Sequence, residues 1–78
     1  MDKAREHYRL TAAADRNELK ARIAREDVAK YERWIATNSN GFGPVNADVL
    51  RAEIAQAEKA ASRHEKAAAK ARGALAAL

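Results

Sequence analysis

Only one stretch of the 78 residues can stop a helix. Asn38-Ser39-Asn40-Gly41-Phe42-Gly43-Pro44-Val45-Asn46 holds two of the three glycines and the single proline. Glycine permits positive φ, and proline lacks the donor that continues a helix and restricts the residue before it. Everything else reads as helix. Ala, Arg, Glu, Lys and Leu supply 48 of the 78 residues, 21 of them Ala, which is the composition of long helices. Leu, Ile, Val and Phe number only 12, too few for a conventional core, so alanine must do the packing. The expected organisation is one domain over residues 1–78. Helix 1 spans about 2–37, a loop about 38–46 and helix 2 about 47–77. Asn or Gly near Thr37 and Asn38 suits a left-handed cap for helix 1. Helix 2 starts from Asn46 as N-cap, with Asp48 in the first turn and Val45 and Leu50 at staple spacing. Gly73 is expected to do no more than fray the last turn.

A heptad register runs through both segments. Leu10, Ala14, Asn17, Ala21, Ala24, Val28, Tyr31 and Ile35 follow one another at spacings of four and three. Leu50, Ile54, Ala57, Ala61, His64, Ala68, Ala71 and Leu75 do the same, with Leu78 beyond them. Folding at the loop sets the two seams in antiparallel layers. Ile35 then faces Leu50, Tyr31 faces Ile54, Val28 faces Ala57 and Ala24 faces Ala61. Ala21 faces His64, Asn17 faces Ala68, Ala14 faces Ala71 and Leu10 faces Leu75. The numbers in every pair sum to 85. The fold class is all-α, an antiparallel two-helix hairpin with an Ala-rich coiled-coil seam. Small side chains let the helices approach closely but bury little apolar area, a poor match for the entropy of ordering the chain.

Self-association is therefore expected, and the sequence suggests where. Tyr8, Ala12, Leu19 and Ile23 form a second apolar stripe, roughly 150° around helix 1 from the seam. Helix 2 shows no equivalent set. Two hairpins meeting through helix 1 make a homodimeric four-helix assembly. In shape such a protein resembles small hairpin proteins that dimerise into four-helix bundles, including the ROP type. The resemblance covers shape alone and implies no activity.

Charge separates the remaining function classes. The net charge of +4 divides evenly between the two halves, with no basic or acidic tail. Lys59, Arg63, Lys66 and Lys70 form a basic stripe on helix 2 that suits phosphates or an acidic partner. No aromatic is interleaved for base stacking, and Glu58 and Glu65 are expected to pair with the stripe, leaving a solvated face. The loop end gathers Trp34, Phe42 and Val45. Trp34 is expected to fold over Phe42 and Pro44 as a small closing core, and the same tip makes a protein-binding epitope. Asn17, polar on the seam, suits a register-setting role, so Asn17→Leu is expected to raise stability and loosen specificity. His64 opposite Ala21 reads as a space-filler with its polar edge in water.

Catalysis, metals and cofactors find no support. His7 and His64 lie about 21 Å apart along the hairpin, too far for one metal. No Cys is present. Ser62 and His64 point to nearly opposite sides of helix 2. Gly41-Phe42-Gly43 is followed by no Lys-Ser/Thr pair and reads as a turn. No apolar run approaches ~20 residues, and no apolar stretch follows the charged N-terminus, so neither a membrane span nor a signal peptide is expected. A cytoplasmic location follows from that reading. The leading expectation is a non-enzymatic protein–protein interaction or regulatory module, acting as a hairpin oligomer on an unidentified protein partner. The heavy Ala and Arg usage fits a GC-rich genome, so an accessory protein of a bacteriophage from a GC-rich host is one expected setting. A nucleic-acid-binding dimer using the basic stripe, or a structural assembly subunit, are the alternatives.

Overall fold

The computed structural model describes residues 2–78 and consists of two α-helices, with no strand among the described residues. Helix α1 runs Lys3–Thr37 and helix α2 runs Ala47–Ala76. Each helix begins on a side-chain cap that occupies its unpaired amide donors. Asp2 accepts from the amides of Ala4 and Arg5 at 3.0 and 3.3 Å. Asn46 accepts from those of Asp48 and Val49 at 3.0 and 3.2 Å. Helix α1 ends with Asn38 in the left-handed region at φ 51°. The Ser39 amide reaches back to the Trp34 carbonyl and the Asn38 amide to that of Ile35. This is the Schellman arrangement, and Asn is one of the few non-glycine residues that adopts it readily. Gly73 does not end α2, which continues to Ala76.

The helices pack antiparallel into a rod 57 × 18 × 13 Å. The radius of gyration is 17.2 Å, against roughly 11.5 Å for a globular chain of this length. Among the described residues all eight buried ones belong to the two seams: Leu10, Ala14, Ala21 and Ala24 on α1, and Leu50, Ala61, Ala68 and Ala71 on α2. Cross-helix polar contacts straddle the 85 register. Their numbers sum to 81 for Asn17 with His64, 87 for Asp15 with Arg72, and 90 for both Glu18 with Arg72 and Arg25 with Glu65.

Most bulky seam residues are left partly open, Leu10 and Leu50 excepted. Val28, Tyr31, Ile35, Ile54 and Leu75 are half-buried, while Ala14 and Ala61 are fully covered. Two helices enclose only the strip of surface between them. A methyl group fits inside that strip, and most rings and branched chains overhang it.

Candidate interaction surfaces

The loop closes on local hydrogen bonds rather than on a packed aromatic core. The Asn40 carboxamide oxygen accepts from the amides of Phe42 and Gly43 at 2.9 and 3.1 Å. The Asn40 amide donates to the Gly43 carbonyl at 3.2 Å, and the Gly41 amide donates to Ser39 Oγ at 3.1 Å. Gly41 sits at φ 92°, where side-chain-bearing residues are strained. This set of bonds turns Phe42 outward, and its side chain is 100% exposed. The expected closing core of Trp34 over Phe42 and Pro44 does not form. Trp34 instead packs on Tyr31 one turn back, with ring centroids 5.4 Å apart and planes tilted by 57°. The Lys30 ammonium lies 5.1 and 5.2 Å from the two ring centroids and 3.6 Å from Asp27. Trp34 is satisfied within its own helix, so the loop is free to present Phe42. Val45 is half-buried and Pro44 exposed. Val49, which the sequence reading passed over, is also exposed near this end.

On the outer face of α1, Tyr8 is 76% exposed, Leu19 and Ile23 are exposed, and Ala12 is half-buried. Ile23 also lines a shallow concavity with Ala24, Ala57 and Ala60. The stripe therefore slants from the back of α1 toward the α1–α2 boundary.

His64 and Asn17 meet across the seam. The Asn17 amide nitrogen donates to the Ala13 carbonyl at 2.9 Å, which turns its oxygen toward His64 Nδ1, also at 2.9 Å. Nδ1 must then carry the proton and act as donor. His64 is thus more than the expected space-filler: its Nδ1 is half of a polar pair across the seam. The signal was present: Asn17 and His64 are the only polar side chains capable of both donating and accepting on adjacent seam layers.

Ion pairs bridge the helices along one edge. Arg25 holds Glu65 through two bonds at 2.8 and 3.2 Å. Arg72 holds Glu18 through two bonds at 2.9 Å each, and Asp15 at 2.9 Å. The hydrogen bonds from Arg25 draw the Glu65 carboxyl below its ordinary value. Donating to Glu18 and then to Asp15 raises the Arg72 guanidinium. Glu65 was expected to neutralise the basic stripe on its own helix, but it faces Arg25 instead. Lys59, Arg63, Lys66 and Lys70 enter no ion pair among the described residues. All four are exposed.

His7 is exposed, and no group of three or more His, Cys, Asp or Glu able to hold a metal ion occurs among the described residues. Among the described residues no helix is long and apolar enough to cross a membrane. No family model, no curated protein and no solved structure matches the chain.

Proposed function

We propose that this protein is a non-enzymatic interaction module that presents Phe42 to a protein partner and pairs with a second copy of itself through α1. The fully exposed Phe42 on a hydrogen-bonded loop carries this reading. An aromatic anchor contributes most to an interface when it enters a partner's pocket, and a loop already fixed loses little entropy on binding. The α1 stripe supports the dimer: Tyr8, Leu19 and Ile23 are exposed on a rod whose own seam covers mostly alanine.

A pull-down from native lysate with wild type and Phe42→Ala tests the tip. Phe42 covers nothing, so the variant keeps its helicity and melting point, and it loses the captured partner. Equal capture by both proteins rejects the role of Phe42. Light scattering tests the dimer. Wild type runs as a dimer and Leu19→Arg/Ile23→Arg as a helical monomer. Two equally helical monomers reject pairing through α1.

A further inference from the structure

The two edges of the hairpin differ. On one edge, Arg25 with Glu65 and Arg72 with Glu18 and Asp15 tie the helices together and use their charges on each other. On the other edge no cross-helix ion pair forms among the described residues. The sequence gives the reason. One heptad edge of α2 carries Ala60, Ala67 and Ala74, and alanine has no charge to offer across the boundary.

Three shallow concavities follow one another along that open edge. Leu10, Ala13, Ala67 and Ala74 line the one near the chain termini, about 340 Å³. Ile23, Ala24, Ala57 and Ala60 line the next, about 300 Å³. The third, about 320 Å³, shares Ala57 and Ala60 with it and continues to Tyr31. From Leu10 to Asp27 the track runs roughly 26 Å, or about five helical turns. Its floor is apolar apart from His64 and its rim is basic: Lys20, Lys59, Arg63 and Lys70 line it, and none of them enters an ion pair. Arg9 lines it too, held by Glu6 on its own helix. The acids on the track are Asp27, paired with Lys30, and Glu53 near the loop end.

We propose that this channel, floored by Ala13, Ala60 and Ala67 and rimmed by Lys20, Lys59, Arg63 and Lys70, docks an acidic amphipathic helix of a partner protein. An alanine floor lets a third backbone approach closely, and the pair of helices becomes a three-helix bundle. The unpaired cations match Glu or Asp flanking the partner's apolar ridge, which also favours fast encounter. The same channel of a second copy would bring like charges together. A nucleic-acid strand would gain little from a floor of methyl groups: the rings along the track are Tyr31 toward the loop end and the half-buried His64 imidazole, which is tied to Asn17. This site does not depend on Phe42, and it meets the proposed α1 dimer face only at Ile23.

The test uses a labelled 21-residue helical peptide with a Leu/Ala heptad seam flanked by Glu, titrated with the full chain. Binding is expected, weakening between 50 and 500 mM salt. Arg63→Glu/Lys70→Glu is expected to weaken it at least tenfold, with Lys66→Glu, off the lining, far less damaging and Phe42→Ala neutral. No binding at 100 μM protein overturns the proposal. So does equal binding of the same peptide with Lys for Glu, or of the double variant. Displacement of the peptide by a single-stranded oligonucleotide assigns the cations to phosphate and also overturns it. Circular dichroism of each variant confirms that the hairpin is intact before binding is read.

Discussion

At the scale of single residues, the Asn17–His64 pair and the glycines are most exposed to test. Asn17→Leu, expected from sequence to stabilise, would strand His64 Nδ1 on the seam without its acceptor. Removing both partners is the change that suits an alanine seam. His64→Ala is expected to cost about 1 kcal/mol in urea unfolding, while Asn17→Leu/His64→Leu matches or exceeds wild type. A single Asn17→Leu as stable as the double variant would show that the pair contributes nothing. Gly41 and Gly73 each have open space where a Cβ would go, so only backbone conformation separates them. Gly41→Ala, at φ 92°, is expected to destabilise by roughly 1 kcal/mol, and Gly73→Ala, inside α2, to stabilise by up to about 1 kcal/mol. Effects of the same sign at both sites would contradict this account.

At the scale of elements, the caps and the cross-helix ion pairs decide where helices begin and how their edges are joined. Asp2→Ala and Asn46→Ala each leave two amides without acceptors, and each is expected to cost about 1 kcal/mol by chemical denaturation. The Glu65 pair gives a pH signature. Its folded carboxyl lies below the ordinary value of 4.5, chiefly through the hydrogen bonds from Arg25. A depressed folded value means the unfolded state binds the proton first. The contribution is therefore complete above about pH 5 and is lost as pH falls through the lowered folded value. Glu6, lowered by its bond to Arg9, adds the same trend within α1. These groups sit at the surface, so the effect is small and screened by salt. Arg25→Gln should flatten the acid limb of a melting curve measured from pH 6 to 3. An unchanged limb would rule out Glu65 as its source.

At the scale of the whole molecule, the rod has much surface and a thin interior. Of its eight buried side chains, six are alanine. The proposed dimer supplies the apolar cover that the hairpin lacks, which makes stability depend on protein concentration. The melting midpoint is expected to rise across a roughly hundredfold dilution series read from dilute to concentrated. A constant midpoint would mean that the hairpin stands alone.

The two helices, the break between them and the seam are legible in the residues alone. Those follow from local rules: one segment rich in Gly, Asn and Pro, alanine-rich arms on either side, and a heptad spacing that puts one ridge of each arm against the other. Leu10, Ala61 and Ala71 were legible as core from spacing alone. The tertiary structure decided which polar and aromatic groups meet. Trp34 prefers Tyr31 on its own helix to the loop, which leaves Phe42 outside. Glu65 turns to Arg25 across the boundary rather than to its neighbouring lysines, which leaves one edge closed and the other basic. Long side chains on a helix have partners in reach both along it and across it, and spacing does not say which is nearer. That choice depends on the rotation and offset of the two helices, which exist only once they have packed.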